Sequence, residues 1–384
     1  MSQVGLPWGA MNELDLTRFP VNPRDQLRAW DAADEYLLRH LGGDLQGNVV
    51  VFGDRWGALV TALAAHRPTQ ITDSFLTQEA TRANLKRNGV DEGQVRLLTT
   101  RDTLPDRVDV LLVRVPKNLA LLEDQLHRLA PAVHEDTVVV GTGMVTEIHT
   151  STLRAFERIL GPTRTSLAER KARLIFCTPD PALPRTPSPW PISYTLPDDV
   201  GPASGRTVVN HAGIFCADRL DIGTRFLLRH LPGSRGPERV VDLGCGNGVV
   251  GLSLALANPQ AEVLFVDESH QAVASAEATY LANSAALPDP PAARFLTGDG
   301  MADVEVGSAD LVLNNPPFHT HRATTDDTAW RMFTGSRTAL RRGGELWVIG
   351  NRHLGYHAKL RRLFGNCEVV ASDPKFVVLR AVKR

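Results

Sequence analysis

The sequence predicts an α/β protein made of two tandem units, each with a doubly wound and mostly parallel sheet. Short apolar runs, typical of buried strands, alternate with helix-like stretches along most of the chain. Glycine-containing turns follow two of these runs, at residues 53–57 and 244–248. A proline-rich segment, residues 179–191, is hard to place in either core and separates the two halves.

The first half begins with a predicted helix over residues 25–41, where Leu27, Trp30, Ala33 and Leu37 recur at helical spacing. The elements expected after it are a strand at 49–52, a helix at 58–65, a strand that ends near Asp73, a strand at 108–115, a helix at 119–129 and a strand at 137–140 closed by glycines 141 and 143. This alternation favours parallel strands joined by helical crossovers.

The second half begins with a predicted β-hairpin, followed by a helix and four strands. The hairpin strands are expected at 192–196 and 207–209, the helix at 221–231, and the later strands at 239–242, at 263–266, up to Thr297, and at 309–313. The order of elements again indicates a doubly wound sheet.

Length and composition are those of a globular protein with two domains. The chain has 384 residues, of which 43% are hydrophobic, so it can bury a substantial core. We place the domain boundary in the proline-rich segment, which gives domains at residues 1–184 and 185–384. The formal net charge is −1, so a nucleic-acid partner would have to meet a local basic patch.

The cysteines and the apolar runs indicate in which cellular compartment the protein is found. The four cysteines form no CxxC pair, which argues against both a zinc site and a disulfide framework. The N-terminal residues lack the basic and apolar regions of a signal peptide, and no apolar run approaches about 18 residues. We therefore expect a cytoplasmic protein with free thiols, no metal and no membrane association.

The clearest basic segment spans residues 151–173. It contains two carboxylates and six cations, Arg154, Arg158, Arg164, Arg170, Lys171 and Arg173. A solvated helix face with packed aliphatic stems is the favoured interpretation, and contact with RNA is the alternative.

A glycine-rich turn follows the predicted strand that ends in Asp242. Gly244, Gly246 and Gly248 alternate with other residues in this turn. Glycine permits both a tight turn and the close approach of a ligand to the backbone. A ligand is expected over the turn, although a purely structural strand-to-helix turn would show the same pattern.

Two carboxylates follow the next two predicted strands. Asp267 lies 23 residues after Gly244, near the offset of about 20 at which a carboxylate binds a ribose diol in dinucleotide-binding folds. Its alternative role is to cap the helix that begins near Ser269. Asp299 could accept a hydrogen bond from an adenine amine, but an Asp-Gly turn would have the same sequence.

The segment Asn-Asn-Pro-Pro-Phe-His at 314–319 directly follows the strand predicted at 309–313. It therefore lies at the carboxyl end of a strand, which is where open α/β sheets bind ligands. Asn315 offers a side-chain oxygen, Pro316 a backbone oxygen, and Phe318 a flat ring on which a base could stack. Such groups suit a planar exocyclic amine.

Together, the glycine turn, Asp267, Asp299 and Asn-Pro-Pro-Phe resemble the class I S-adenosylmethionine-dependent methyltransferases, which have a Rossmann-like fold. Asn-Pro-Pro-aromatic is the motif of members that methylate planar nitrogens. Within that class the chain is most similar to the bacterial ribosomal RNA guanine-N2 methyltransferases. The similarity is carried by His-Ala-Gly-Ile-Phe (211–215), Leu-Asp-Ile-Gly-Thr-Arg (220–225), residues 314–319, Gly-Tyr-His-Ala-Lys-Leu (355–360), Lys-Phe-Val-Val-Leu (375–379), and, in the first half, residues 161–167 and 171–175, which favour the large-subunit (23S) enzymes.

The resemblance implies S-adenosylmethionine as cofactor, 23S ribosomal RNA as partner, and direct methyl transfer to guanine N2 by a monomeric enzyme without a metal. The residues that it assigns to cofactor binding are Asp242, Gly244, Gly246, Gly248, Asp267, Asp299 and Asn315. The residues that it assigns to catalysis are Asn315, Pro316 and Phe318. We expect His319 to pack beside the loop.

Three alternatives remain open at this point. The nearest is the small-subunit (16S) guanine-N2 methyltransferase. The second is methylation of a protein glutamine, since release-factor methyltransferases share Asn-Pro-Pro-aromatic, although they usually carry tyrosine after the prolines and a small helical first domain. The third is an RNA-binding protein without catalytic activity.

The first domain resembles a degenerate copy of the second. The glycines of the 53–57 turn keep the interval seen at 244–248, and Asp73 is expected to match Asp267. However, Arg55 and Trp56 stand between the two glycines, so their side chains would fill the space over the turn.

A second difference lies at the strand end near residue 114. Arg114 would stand where Asn315 stands, and Lys117 where Phe318 stands. Cations in place of acceptors suit a phosphate better than an amine. We therefore expect the first domain to position RNA and to bind no cofactor, unless these residues only pack or face solvent.

Overall fold

The computed structural model of this chain describes residues 10–22, 25–42, 45–285, 287–317 and 322–384, and the side chains of residues 10 and 322–326 are not described. The chain divides into two compact units, Met1–Pro189 and Trp190–Arg384. The division falls within the proline-rich segment.

The first unit alternates strands and helices. Its elements are β1 (Val49–Phe52), β2 (Thr69–Thr72), β3 (Arg96–Thr99), β4 (Val108–Arg114), β5 (Val133–Met144), β6 (Thr163–Thr165) and β7 (Ala172–Cys177), with α1 (Ala32–Leu41), α2 (Ala58–Ala62), α3 (Phe75–Arg87), α4 (Leu119–Leu129) and α5 (Thr150–Ile159). Short 3-10 helices lie at Ala10–Glu13, Ala64–His66, Glu92–Gln94 and Ala130–Ala132.

The second unit begins with an antiparallel hairpin and then repeats the alternation. Its strands are β8 (Ile192–Thr195), β9 (Thr207–Asn210), β10 (Arg239–Leu243), β11 (Glu262–Asp267), β12 (Ala292–Thr297), β13 (Ala309–Asn314), β14 (Leu340–Asn351), β15 (Glu368–Ser372) and β16 (Phe376–Val382). Its helices are α6 (Ile222–Leu228), α7 (Val249–Ala257), α8 (His270–Ser284), α9 (Arg322–Ala339) and α10 (Tyr356–Phe364), with 3-10 turns at Gly201–Ala203 and Arg352–Leu354.

Both units contain a seven-stranded sheet, and the two strand orders correspond. The first is β3-β2-β1-β4-β5-β7-β6 and the second is β12-β11-β10-β13-β14-β16-β15. The first five strands of each order pair in parallel, and the last two additions are antiparallel. The prediction of two doubly wound α/β units is therefore confirmed.

Apolar residues cover both faces of each sheet, as a buried parallel sheet requires. In β1, Val50 and Phe52 belong to one core cluster, whereas Val49 and Val51 belong to the cluster on the opposite face. The second unit likewise has one apolar cluster on each face of its sheet. The edge at which the parallel strands end is thus held between two packed layers.

The first helix is shorter than the sequence pattern predicted. It begins at Ala32, because Asp31 is an extended N-cap residue whose side chain accepts from Ala33 N at 2.8 Å. Asp34 completes a capping box by accepting from Asp31 N at 2.8 Å. Leu27 is 67% exposed, so its helical spacing did not indicate a buried face.

The glycines at 141 and 143 were expected to close a strand, and this prediction is wrong. Both lie inside β5, where they pair with Ile175 and Arg173 of the antiparallel strand β7. A Cβ at Gly141 would lie 3.1 Å from Ile175 Cβ and 3.3 Å from Phe156 Cζ. Gly141 therefore allows close packing rather than a turn.

The basic segment 151–173 is not one helix face, which corrects the favoured interpretation. Helix α5 ends at Ile159, and the remaining residues form the β6–β7 hairpin. At its tip, Glu169 and Ala172 exchange backbone hydrogen bonds of 2.9 and 2.8 Å around a two-residue turn. Arg170 and Lys171 form this turn and are both exposed.

Among the helices described here, none combines the length and the apolar character needed to cross a membrane.

Candidate active site

Four predicted site elements follow four adjacent strands of the second sheet. In the order β12, β11, β10 and β13, the strands lead to Asp299, Asp267, the 244–248 turn and Asn315. Because the four strands are parallel, all of these groups meet at the same edge of the sheet. With about 4.8 Å between neighbouring strands, they span roughly 14 Å, which suits an extended small molecule.

The glycine turn leaves open space above it. Gly246 has a φ of 53°, and a Cβ added there would meet nothing within 4 Å. Gly248 differs, because a Cβ there would lie 2.8 Å from Ala276 Cα in α8. Gly246 therefore keeps a cradle open, whereas Gly248 lets α7 pack closely on α8.

Asp267 joins the turn to the neighbouring strand. Its Oδ2 accepts from Gly246 N at 3.0 Å and its Oδ1 from Ser269 N at 3.0 Å. The N-cap of α8 is Ser269 itself, whose Oγ accepts from Ala272 N at 3.0 Å. Asp267 therefore does not cap the helix. Burial raises the pKa of its carboxyl although the backbone donors oppose this shift.

Asp242 supports the turn from within the sheet. Its side chain is buried, and its Oδ2 accepts from Gly251 N in α7 at 2.8 Å. Burial, aided by the nearby Asp267, raises the pKa of Asp242 to about 7. This position leaves little surface for a ligand, so the cofactor contact expected for Asp242 stays a prediction.

Asn315 directly follows β13 and presents one unused acceptor. Its Nδ2 donates to Thr224 Oγ1 at 3.1 Å, while its Oδ1 is buried and has no hydrogen-bond partner among the described residues. Pro316 is buried beside it. Phe318 and His319 lie outside the described residues, so the roles expected for them stay predictions.

Other polar residues at this edge have no local signal in the sequence. Asp299 forms an ion pair with Arg331 of α9. Asn247 Nδ2 donates to Asn210 Oδ1 at 3.0 Å, which fixes the glycine turn to the end of β9. The sequence analysis assigned no site role to Arg331, Asn210 or Thr224, because each of them contacts a partner that is distant in the sequence. In the described ranges, no group of three or more His, Cys, Asp or Glu side chains could hold a metal ion.

The arrangement fits S-adenosylmethionine, the cofactor implied by the sequence resemblance. The space above Gly246 admits a ligand against the backbone. The Asp267 carboxylate has further lone pairs beyond the two hydrogen bonds that it accepts, which suits a ribose diol. At the end of the row, Asn315 Oδ1 is a buried acceptor that no described residue pairs with.

Comparisons with known proteins agree with this geometry. Residues 205–380 match the methyltransferase small domain, and residues 7–181 match the RLMG N-terminal domain. The ribosomal RNA large subunit methyltransferase G of Streptomyces avermitilis is 74% identical, with 98% of each chain covered. The chain belongs to the ribosomal RNA large subunit methyltransferase G family.

More distant members of the methyltransferase G family cover the chain equally well. The enzyme of that name from Aeromonas salmonicida is 46% identical, with 97% of each chain covered. Among solved structures, the T. thermophilus 16S rRNA N2 G1207 methyltransferase in complex with AdoMet and guanosine aligns with a TM-score of 0.74 at 22% identity, covering 97% of this chain and 95% of that one. This chain is an S-adenosylmethionine-dependent methyltransferase with a two-unit α/β fold.

The first unit of this methyltransferase G chain has an equivalent sheet edge, which strand register aligns with the second. Phe52 of β1 pairs with Ile71 and Val113, as Leu243 of β10 pairs with Val266 and Asn314. The residues that follow these pairs are equivalent. They match Gly53 with Gly244, Thr72 with Asp267 and Arg114 with Asn315.

The alignment corrects one prediction and supports another. Asp73 was expected to match Asp267, but Thr72 occupies that place, and its Oγ1 accepts from Ser74 N at 3.2 Å as Asp267 accepts from Ser269 N. A hydroxyl lacks the second oxygen of a carboxylate. The predicted equivalence of Arg114 and Asn315 agrees with the register.

Arg114 does not offer its charge to a phosphate, which corrects the expectation for this position. Its side chain has 0% exposure and donates to Asp31 at 2.7 Å, to Asp34 at 3.1 Å and to Glu147 at 2.8 Å. Arg55, which stands where Gly246 stands, also donates to Glu147, at 2.5 Å. Burial alone would raise the pKa of Glu147, but the two guanidinium groups lower it to about 2.

This ion-pair cluster, which comprises Arg55, Arg114, Asp31, Asp34 and Glu147, fills the space equivalent to the cradle above Gly246. The turn below it is maintained by a different carboxylate. Asp54 Oδ2 accepts from Val60 N at 3.0 Å, at the helix position where Asp242 accepts from Gly251 N. The first unit thus keeps the turn and fills the cradle.

Replacement of Asp54 should change the pH dependence of stability. Burial raises the pKa of its carboxyl from 3.8 to about 7. The unfolded chain therefore loses this proton at a lower pH than the folded protein does, and the free energy of unfolding decreases as the pH rises from about 4 to 7. Asp54→Asn keeps an acceptor for Val60 N without the charge. Its free energy of unfolding, relative to the unmodified protein, should therefore increase by up to roughly 3 kcal/mol between pH 5 and pH 8.

Urea unfolding at both pH values measures this difference. Asp106→Asn, which removes an exposed carboxylate from the same unit, is the matched control and should leave the pH profile unchanged. An equal effect of Asp54→Asn at pH 5 and pH 8 would contradict the prediction.

Proposed function

We propose that this enzyme transfers the methyl group of S-adenosylmethionine to the exocyclic N2 amine of a guanine in 23S ribosomal RNA. The observation that carries this proposal is the Oδ1 of Asn315, which is buried at the carboxyl end of β13 without a hydrogen-bond partner in the described part of the chain, beside Pro316 and next to the open glycine turn. An amine hydrogen is the complementary donor for such an acceptor. Membership of the methyltransferase G family supports the large-subunit RNA as substrate.

Asn315 and Pro316 act on the reacting nitrogen. S-adenosylmethionine supplies an electrophilic methyl group. The N2 lone pair of guanine is delocalised into the ring, so the enzyme must turn the amine towards that methyl group. Asn315 Oδ1 and the Pro316 carbonyl accept the two amine hydrogens, and these hydrogen bonds strengthen as positive charge develops on nitrogen. The N–C bond forms as the S–C bond breaks, and nitrogen then releases one proton to solvent.

The remaining edge residues hold the cofactor in this proposal. Asp267 accepts from the ribose hydroxyls, Gly244 and Gly246 let the methionine part lie against the backbone, and Asp299 accepts from the adenine amine. Asp242 and Gly248 maintain the turn. The target base must leave its stack to reach Asn315, and Phe318 provides the ring on which it stacks. We propose that the enzyme acts as a monomer, since one chain supplies all of these groups. We also propose that it acts in the cytoplasm, as expected from its ribosomal RNA substrate.

The first unit positions the RNA. Its support is the tip of the β6–β7 hairpin, where Arg170 and Lys171 have φ values of 48° and 64°. A two-residue hairpin turn commonly requires positive φ at both of its central residues, at a cost of about 1 to 2 kcal/mol for residues other than glycine, so the turn holds these two side chains next to each other at the tip. Arg170 lies 3.7 Å from the buried carboxylate of Glu35, and its exposed side chain stands next to exposed Lys171, so the two adjacent cations suit the phosphate backbone. The ion-pair cluster in the same unit excludes a second cofactor.

The proposed reaction can be tested on isolated ribosomal RNA. The purified enzyme is incubated with labelled S-adenosylmethionine and unmodified 23S or 16S RNA, and nucleosides are analysed by mass spectrometry. N2-methylguanosine should appear in 23S RNA. Asn315→Ala should lower the rate about a hundredfold or more while affinity for RNA changes little, because one acceptor on the reacting nitrogen is lost and the phosphate contacts remain.

The other outcomes identify the alternatives. Methylation confined to 16S RNA would make this chain functionally a small-subunit enzyme. Label in a protein glutamine and in neither RNA would reject the proposal. Near-normal turnover of Asn315→Ala would show that other groups hold the amine.

Cofactor binding should depend on Asp267 and on the second unit alone. Asp267→Ala removes two charge-assisted hydrogen bonds to the ribose and should weaken S-adenosylmethionine binding by roughly 2 to 4 kcal/mol. Asp73→Ala, at the corresponding strand end of the first unit, is the control and should have no effect. Calorimetry measures both affinities and the stoichiometry, which should be one cofactor per chain. Unchanged affinity after Asp267→Ala, or two cofactors per chain, would contradict the assignment.

The hairpin tip should contribute to RNA affinity and not to cofactor affinity. The double variant Arg170→Glu/Lys171→Glu should weaken binding to 23S RNA and reduce the slope of log affinity against log salt by about 1 to 2, as expected when two phosphate contacts are lost. Lys86→Glu/Arg101→Glu reverses two exposed charges elsewhere on the same unit and is the matched control. If both double variants weaken binding equally, the hairpin has no specific role.

A further inference from the structure

We infer that Asp221 and Thr224 form a positioning relay that fixes which way the Asn315 side-chain amide faces. Neither residue needs to touch the substrate, because the relay acts through Asn315. The inference rests on the proposed function, since the orientation matters only if Asn315 Oδ1 accepts from the target amine. It adds two positioning residues at the start of α6 to the groups at the edge of the sheet.

The relay consists of consecutive hydrogen bonds. Asp221 is the N-cap residue of α6, and its Oδ2 accepts from Thr224 N at 2.9 Å. The same Oδ2 lies 3.2 Å from Thr224 Oγ1. Thr224 Oγ1 in turn lies 3.1 Å from Asn315 Nδ2. The three side chains therefore connect the first turn of α6 to the residue that follows β13.

The direction of these hydrogen bonds follows from the chemistry of the groups. A carboxylate can only accept, so the single hydroxyl hydrogen of Thr224 is donated to Asp221. The Thr224 oxygen is then left as an acceptor, and only the NH2 end of the Asn315 amide can face it favourably. The Oδ1 end must consequently face the opposite way, which is where it is buried without a partner among the described residues.

The orientation decides whether the site can hold an amine. An asparagine amide has donor and acceptor ends of nearly the same shape, so packing alone does not distinguish its two orientations. A flipped Asn315 would present hydrogens to the hydrogens of the target amine. The hydroxyl of Thr224, oriented by Asp221, selects the productive orientation before the base enters, which is a form of preorganisation.

The relay can be separated from the capping of α6. The cap uses the Asp221 side chain and the backbone N–H of Thr224, and this bond does not require the Thr224 hydroxyl. Thr224→Val therefore keeps the cap and the side-chain shape but removes the acceptor for Asn315 Nδ2. Thr224→Ser keeps the hydroxyl and loses only a methyl group, so it is the conservative variant that should restore function.

The first experiment compares steady-state methylation of 23S RNA by the full-length unmodified enzyme, Thr224→Val and Thr224→Ser. Thr224→Val should lower kcat about tenfold to a hundredfold, with KM for RNA, the calorimetric Kd for S-adenosylmethionine and the Tm little changed. Thr224→Ser should recover most of the rate. A normal kcat for Thr224→Val, or a loss that Thr224→Ser shares in full, would overturn the relay.

The second experiment removes the orientation problem itself. In an Asn315→Asp background the side chain at position 315 has two equivalent oxygens, so no amide remains to be oriented. Thr224→Val should then reduce kcat by a much smaller factor than it does beside Asn315. Equal factors in the two backgrounds would show that Thr224 acts through packing and would reject the relay.

Failure of this inference differs from failure of the proposed function. If the unmodified enzyme leaves guanine N2 in 23S RNA unmethylated, the proposed function is wrong and the relay has no reaction to support. If the unmodified enzyme methylates it and Thr224→Val does so equally fast, the relay alone is wrong.

Discussion

The parallel pairing of β10 with both β11 and β13 is the constraint on which the candidate site depends. Leu243 pairs with Val266 on one side and with Asn314 on the other, so three strands end at one level. Asn314 Nδ2 strengthens this alignment by donating to Leu243 O at 2.8 Å. Groups separated by tens of residues in sequence therefore meet along the edge of the sheet. The residues that follow the three paired positions, Gly244, Asp267 and Asn315, face the same space above this edge. A shift of one residue in either pairing would turn these side chains to the opposite face.

The sequence predicted the features that depend on local pattern. Apolar runs located most of the parallel strands, and glycines located the turns at 53–57 and 244–248, because burial on both faces and positive φ each leave a direct mark on residue type. The antiparallel strands β6, β7, β15 and β16, the strand β14 and the edge strand β3 were not predicted, and glycines 141 and 143 proved to lie inside a strand. Features that depend on contacts between distant segments were not predictable in this way. Nothing in the residues around Arg114 indicates that three carboxylates surround it, and nothing around Thr224 indicates that it meets Asn315. The match of Asp73 to Asp267 failed for a smaller reason, since local pattern does not fix a strand end to one residue.

The two units show how one backbone can serve two purposes. Both keep a left-handed glycine before the helix of the turn, at Gly57 and Gly248, and both place a carboxylate on a backbone N–H in the first turns of that helix. The supporting carboxylate nevertheless comes from different positions, Asp54 in one unit and Asp242 in the other. The strand, turn and helix are thus retained in both units, whichever side chains lie above the turn. Those side chains alone decide whether the space above the turn can admit a ligand, as in the second unit, or is filled, as in the first.

The ion-pair cluster of the first unit also limits what this unit can become. Replacement of buried Arg114 alone would leave Arg55 as the one guanidinium of the cluster beside Asp31, Asp34 and Glu147, and breaking a buried pair in this way typically destabilises a protein by about 3 to 5 kcal/mol. Removal of one carboxylate alone leaves the guanidinium groups partly unpaired. A return to a cofactor-binding edge therefore requires several coordinated substitutions, and every single step lowers stability. The ion pairs of the first unit therefore make restoration of a cofactor-binding edge by single substitutions unfavourable, because each intermediate protein would be less stable than the present one.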